Sequence, residues 1–310
     1  MRVAITGATG LIGRALTTSL WADGHTVVRL VRRPPRRSEI PRLEEAEWRA
    51  EQGRIDAVAL SGTDAVVHLA GEPLGRGLWT RRRRALIRRS RVHGTRALCR
   101  ALVAMDRPPT RLLSASGTHV YGETGDTVAT EETPPGTGFL ADVCREWEAA
   151  TLPAEEAGMS VAHLRTGVVL AREGGMLRSL LPLYRWGFGG RLGSGAQYLT
   201  WFSLVDQVGA IRFLLERPDL TGPVNLCAPE PVSNAAFVQA LERVLGRPTI
   251  LPIPSTAIRV TLGDFTEESA LIDLRARPER LEKAGYSFLL PDVDSALSDI
   301  LARPGPSVGA

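Results

Sequence analysis

The chain has 310 residues, a formal net charge of +4, 44% hydrophobic and 23% charged residues, a balance that excludes global disorder and suits one large domain or a main domain with a companion. Cys99, Cys144 and Cys227 are dispersed without a CxxC, and the five histidines show no HxH or HExxH spacing, which argues against a disulfide framework or a structural metal. No apolar run reaches membrane-span length, so no membrane partner is expected.

In chain order, Val3–Thr6 reads as a buried strand, followed by the glycine loop Gly7-Ala8-Thr9-Gly10-Leu11-Ile12-Gly13 and a helix over Arg14–Ala22. Gly7 allows a tight turn, Gly10 a close backbone approach to a pyrophosphate, and Gly13 close packing of helix on strand. The N–H groups and positive dipole end at the start of that helix suit phosphates, so a dinucleotide is expected here. A strand that begins at residue 3 leaves no room for a secretory leader, and a cytoplasmic protein is the expectation.

Thr26–Val31 is the second predicted strand. It ends at Arg32-Arg33, where a site for the unphosphorylated ribose normally carries an acid. Guanidinium forks there favour a 2′-phosphate, hence NADP over NAD. The glutamate-rich stretch Leu43–Trp48 reads as helical, Ala65–Ala70 as a strand ending at Gly71, and Thr80–Met105 as a long helix. Within that helix Arg81–Arg84, Arg88, Arg89 and Arg91 surround the apolar positions Trp79, Leu86, Ile87 and Val92. The pattern reads as a solvated basic face, and no aromatic platform points to nucleic acid.

A strand Arg111–Ser116, a helix Leu140–Glu156 and a strand Val161–Arg165 complete the alternation. Strands separated by helices predict βαβ units, hence an α/β Rossmann-type doubly wound parallel sheet. After Gly167 the rhythm breaks into a loop-rich segment marked by Pro182, Gly187, Gly189, Gly190, Gly193 and Gly195. Helices are expected again at Val205–Glu216, Ser233–Leu245, Thr256–Leu262, Pro278–Ala284 and Val293–Leu301, with Val224–Leu226 returning to the sheet. The expected division is 1–166 for the nucleotide domain, 167–302 for a smaller, mainly helical substrate lobe, and 303–310 for a disordered tail.

These residues resemble the extended short-chain dehydrogenase/reductase superfamily. Thr6-Gly7-Ala8-Thr9-Gly10-Leu11-Ile12-Gly13 is similar to its TGxxGxxG loop, and His68-Leu69-Ala70-Gly71 to the HxAG strand end that lines the adenine ribose. Ser114-Ala115-Ser116 with Val120-Tyr121-Gly122 resembles its fifth-strand segment. More narrowly, Leu69–Glu72, Ser90–Val92, Leu164–Leu170, Gly189–Gln197 and Asp206–Val208 resemble an atypical, sugar-epimerase-like NADP-binding subfamily. The resemblance implies cofactor contacts at Gly7, Thr9, Gly10, Leu11, Ile12, Gly13, Leu69, Ala70, Gly71, Ser114, Arg165, Gly167 and Val168, and admits a homodimer.

The superfamily's Tyr-x-x-x-Lys pair is absent. Tyr121, Tyr184, Tyr198 and Tyr286 are followed four residues later by Gly125, Phe188, Phe202 and Leu290. The sole lysine is Lys283, and Phe139 and Val143 stand at the motif's positions. Replacement chemistry is sought at the end of the strand Arg111–Ser116. His119 or Tyr121 would move a proton, and Ser116 or Thr118 would hydrogen-bond a substrate carbonyl. Cys144 reads as a packed residue. The substrate would lie against segment 187–201, with Arg191, Gln197 and Trp201 as contacts. The expected activity is that of an NADP(H)-dependent oxidoreductase or epimerase-like enzyme on a small polar or cyclic metabolite. Its rivals are a catalytically silent NADP(H) sensor or partner-binding protein, and a non-redox isomerase, cyclase or dehydratase on the same fold.

Overall fold

A computed structural model describes residues 1–50, 54–75, 77–187, 189–248, 252–254, 256 and 266–302. Its main sheet runs in the order β11 (Gly222–Leu226), β7 (Ser160–Thr166), β6 (Arg111–Gly117), β5 (Ala65–His68), β1 (Arg2–Thr6), β2 (Thr26–Val31), β3 (Leu43–Arg49), β4 (Arg54–Ile55). All neighbours pair in parallel except β3 with β4. Both sheet faces are covered, so alternate residues of one strand enter different cores. Val3 and Ile5 of β1 pack with α1 (Leu11–Ala22) and α6 (Leu204–Leu215), whereas Ala4 packs with α2 (Arg81–Val103). Burial on both faces is why these strands read as continuous apolar runs. The result is the doubly wound α/β architecture.

Residues 43–48 correct the helical expectation, because they form strand β3, in register with β2 from Leu43 opposite Val27. The period is two: Ala46 and Trp48 are buried, Glu45 meets an arginine of neighbouring β2, Glu44 one of β1 a strand further on, and Glu47 pairs with Arg49 of its own strand. Arg2 reaches Glu44 and Arg29 reaches Glu45, at 2.8 and 2.9 Å. Cross-strand ion pairs thus make a glutamate-rich strand tolerable.

The single helix expected over Leu140–Glu156 is two, α3 (Phe139–Ala149) and α4 (Leu152–Glu156). Pro153 in the first turn of α4 has no N–H to donate to the preceding turn, so the chain breaks at Ala150-Thr151. The segment expected to be loop also changes. After β8 (Val168–Leu170), α5 (Gly175–Arg185) forms with Pro182 inside it, because Leu177, Leu181 and Tyr184 bury one face. Beyond β9 (Tyr198–Leu199), β10 (Trp201–Ser203) and β12 (Val232–Ser233) come α7 (Asn234–Leu245), α8 (Glu279–Lys283) and α9 (Val293–Ala302). A second core gathers Leu177, Tyr184, Trp201, Phe237, Leu241 and Leu297. Of the expected helix Thr256–Leu262 only Thr256 is among the described residues, and the tail 303–310 lies outside them.

Candidate functional site

The glycine loop follows β1 at the carboxyl edge of the sheet, against the chain that leaves the neighbouring strand β5. Gly7 has φ +66°, and a Cβ there would lie 2.8 Å from the Leu69 carbonyl carbon. A Cβ at Gly13 would lie 2.3 Å from the Gly7 carbonyl oxygen. Side chains are therefore excluded at both positions by backbone, which cannot yield. Gly10 precedes α1 without any side-chain cap, and the first-turn N–H groups of Leu11, Ile12 and Gly13 have no acceptor among the described residues. Such a helix start presents free donors and a positive dipole end, which fits dinucleotide phosphates.

Beneath the loop, Thr6 Oγ1 accepts the Leu69 and Ala70 N–H groups at 3.1 Å each and contacts His68 Nδ1 at 2.7 Å. With its lone pairs so used, Thr6 donates to Nδ1, which puts the ring proton on Nε2, facing Thr95 Oγ1 at 3.0 Å. Trp147 Nε1 donates to the same Thr95 oxygen at 2.7 Å. Burial pushes the His68 pKa down to about 4, so the ring is neutral and serves as a strut between β1, β5, α2 and α3.

At the end of β2 the two arginines separate. The Arg33 fork binds both oxygens of Glu45 at 2.8 Å, while Arg29 also reaches that carboxylate and the Arg36 N–H donates to it. Burial works to raise the Glu45 pKa, but the Arg33 hydrogen bond, the Arg36 N–H and the two guanidiniums offset it and hold the carboxyl low. Arg32 is exposed and makes no hydrogen bond to a described residue, leaving its fork available for a 2′-phosphate.

The expected proton-handling residues follow β6. Ser116 Oγ donates to Glu148 Oε1 at 2.7 Å, and the same carboxylate takes Arg165 Nε and Nη2 at 2.8 and 2.9 Å. Burial alone would raise the Glu148 carboxyl, but Arg165 and Ser116 overcome it and hold the group below the usual range. Arg165 Nη1 donates to the Tyr121 hydroxyl at 3.0 Å, and that hydroxyl donates to Asn225 Oδ1 at 2.7 Å. Burial pushes the Tyr121 pKa up to about 12 despite the adjacent guanidinium. Tyr121 and Arg165 are thus engaged within the protein, with all three Arg165 nitrogens used. Ser114 and Thr118 are buried, and Ser114 Oγ has no protein partner.

His119 differs. It sits in the 3₁₀ turn Thr118–Tyr121, half-buried, and neither ring nitrogen makes a hydrogen bond to a described residue. A Cβ added at Gly117 would lie 3.5 Å from Cys144 Sγ and 3.9 Å from His119 Nδ1, so both side chains flank that glycine. Loss of hydration pushes the imidazole down to about 4; Glu268 opposes that shift and Arg91 adds to it. Burial pushes the Cys144 thiol up to about 12, so it stays protonated.

At the lost tyrosine's position, Phe139 opens α3. Its ring lies edge-to-face with Trp79 at 5.5 Å, with the Arg84 guanidinium 5.0 Å from its centroid. Glu268, from the turn Thr266–Ala270, accepts the N–H groups of Phe139 and Leu140 at 3.1 Å each, and Val143 is fully buried. A carboxylate from the C-terminal region therefore caps the helix whose first residue should have carried the reactive hydroxyl.

Segments that follow β7 reach the loop directly. A Cβ on Gly174 would lie 2.9 Å from Leu11 Cδ1, and a Cβ on Gly167 2.8 Å from the Thr200 carbonyl oxygen. Val168 N–H donates to that same Thr200 oxygen at 2.8 Å. Of the expected substrate contacts, Trp201 is corrected: it is 1% exposed inside the second-lobe core and offers no surface. Gln197 Nε2 donates to the Leu192 carbonyl at 3.1 Å, and Arg191 is exposed. Arg91, assigned by the sequence to a solvated face, instead turns inward between Gly71 and Trp147. Its neighbours Arg88 and Arg89 obscured that signal.

Residues 3–227 match the NAD dependent epimerase/dehydratase family, and residues 253–300 match a domain of unknown function (DUF1731). An epimerase family protein of Mycobacterium bovis is 46% identical over 98% of both chains. The crystal structure of human epimerase family protein SDR39U1 with NADPH is similar with a TM-score of 0.86 at 30% identity, covering 97% of this chain and 99% of that one. A nucleoside-diphosphate sugar epimerase from Corynebacterium glutamicum gives a TM-score of 0.79 at 35% identity, covering 97% of this chain and 58% of its own. With a parallel sheet, a glycine loop at its carboxyl edge and a match spanning most of the chain, the protein belongs to the NAD dependent epimerase/dehydratase family.

Proposed function

We propose that this chain is an NADP(H)-dependent oxidoreductase or epimerase-like enzyme for a small polar metabolite, in which His119 moves the proton that a Tyr–Lys pair would otherwise move. The cofactor part of this reading rests on the uncapped start of α1 and on Arg32, whose fork is unengaged, and it is supported by the NADPH complex of the human relative. When bound, NADP(H) supplies or accepts hydride at the nicotinamide ring. The observation that carries the catalytic part is the His119 ring, without a protein hydrogen bond beside Gly117 at the carboxyl edge of the sheet. Held neutral, it offers one acceptor nitrogen across the physiological range, as a weaker base than an ordinary imidazole. Ser116 is a positioning residue in this scheme, because its hydroxyl proton is committed to Glu148.

The test is NADPH and NADH titration by nicotinamide fluorescence, followed by a panel of polar carbonyl and hydroxyl substrates monitored by cofactor absorbance. His119→Ala should lower kcat/KM by about a hundredfold or more while leaving NADPH affinity unchanged. Because the imidazole pKa is pushed to about 4, the acid limb of kcat/KM belongs near that pH rather than near 6.5. Activity that survives His119→Ala ends the acid–base assignment. The silent-binder reading draws on Phe139, which replaces an ionisable group with a packed ring. It predicts NADPH binding with no turnover on any substrate.

A further inference from the structure

Arg91 is a half-buried guanidinium that forms no ion pair with a carboxylate among the described residues. Its Nη1 donates to the Glu72 and Ile87 carbonyl oxygens at 3.0 and 3.3 Å, and its Cζ lies 5.1 Å from the Trp147 ring centroid. Gly71 also lies against it: a Cβ there would meet Cζ at 3.4 Å. Trp147 and Gly71 thus both flank the guanidinium, and Nε and Nη2 make no hydrogen bond to a described residue. Neither nitrogen is among the sealed, unpartnered polar atoms, so both remain open to approach. The nearest acid on its own path, Glu72, has its carboxylate bound by Arg83 at 2.5 Å.

Arg111 shows what a purely structural buried arginine looks like in this protein. Its Nε, Nη1 and Nη2 all bond, to the Leu214 and Leu220 carbonyls and to Ser160 Oγ. A half-buried charge with half its fork unused costs stability unless something completes it. Arg91 also lies in the candidate site: it acts electrostatically on both His119 and Cys144 and touches the Gly71 strand end.

We propose that Arg91 is the receptor for an anionic oxygen group of the substrate, a carboxylate or phosphate, held by Nε and Nη2 beside His119. The inference deepens the functional reading above by naming the substrate class, and rests on it for the location of the reaction. A planar fork with two open donors is the geometry that takes such a group bidentately. The neutral His119 ring adds no competing charge, and Glu268 beyond it disfavours a second negative group on that side.

The probes are malonate and inorganic phosphate, titrated calorimetrically into the unaltered protein with and without saturating NADPH. Saturable binding of either is expected. Arg91→Gln should weaken it by about tenfold or more, Arg91→Lys by less, and NADPH affinity should stay within about twofold in both. Malonate or phosphate should also protect Arg91 of the unaltered protein from phenylglyoxal, read by peptide mass, which decides the matter if either variant fails to fold. Absence of saturable anion binding, or equal binding by Arg91→Gln, overturns the proposal. So does a large loss of NADPH affinity in Arg91→Gln with anion binding intact, which would assign the guanidinium to the cofactor's own phosphates. Failure of the unaltered protein to bind NADPH would instead sink the cofactor reading, and the titration without cofactor judges the anion site separately.

Discussion

At the scale of single residues, two buried polar groups set measurable properties. His68 is fully buried between two threonine hydroxyls, with a native pKa pushed to about 4 against 6.5 when exposed. Between those values the unfolded chain binds a proton that the native state refuses, so stability rises with pH across that window and is lost as pH falls through it. The linkage amounts to about 3 kcal/mol, and His68→Gln should remove that part of the slope in urea unfolding at pH 4 and pH 7. Glu148 behaves differently, because its partner is a cation. Glu148→Gln would leave Arg165 with an incomplete shell and should cost about 3 kcal/mol or more, lowering Tm, whereas Ser116→Ala, which leaves the ion pair intact, should cost about 1 kcal/mol. The sequence placed Ser116, Tyr121 and Arg165 near one another through β6 and β7. It could not say that Glu148 would claim two of them, since that contact joins a helix to two strands across 32 and 17 positions.

At the scale of elements, the glycine loop was legible because its constraint is local. A Cβ at Gly13 meets the backbone of Gly7 and Ala8 in the preceding turn, so Gly13→Ala should abolish NADPH binding and destabilise the fold. The end of β2 was only half legible. Both arginines lie just past Val31, the last residue of β2, where strand alternation no longer fixes which way a side chain points, so the sequence could not give them separate roles. Arg33 pairs with Glu45 of β3, which the sequence had read as a helix. Arg32→Glu should therefore shift preference from NADPH toward NADH by about tenfold or more, measured as a ratio of dissociation constants. Arg33→Glu should chiefly lower Tm by placing two carboxylates together. The strand β3 was missed because its glutamates look helical until arginines on β1 and β2 are known to face them.

For the whole molecule, polar fastenings tie the main sheet and its helices to the segments that follow α6. Asp206 is fully buried at the start of α6, where its carboxylate accepts Ser203 Oγ at 2.8 Å and the Leu289 and Leu290 N–H groups at 2.7 and 3.0 Å. Asp206→Ala would strand those donors and should cost about 3 kcal/mol, seen as a lower midpoint in urea. A second fastening runs from Tyr121 through Asn225, whose N–H donates to Glu131 and whose amide donates to the Arg277 carbonyl at 2.8 Å. By itself the sequence determined the parallel α/β architecture and the glycine loop, and, through the arginines after β2, an expectation of NADP. These follow from periodicity and steric limits acting over a few residues. Tertiary structure alone decided that Tyr121 and Arg165 are engaged, that Glu268 caps α3 above the missing hydroxyl, and that Arg91 turns inward with an open fork. Those outcomes depend on which distant groups share one enclosed volume, and charge burial is settled only when that volume closes.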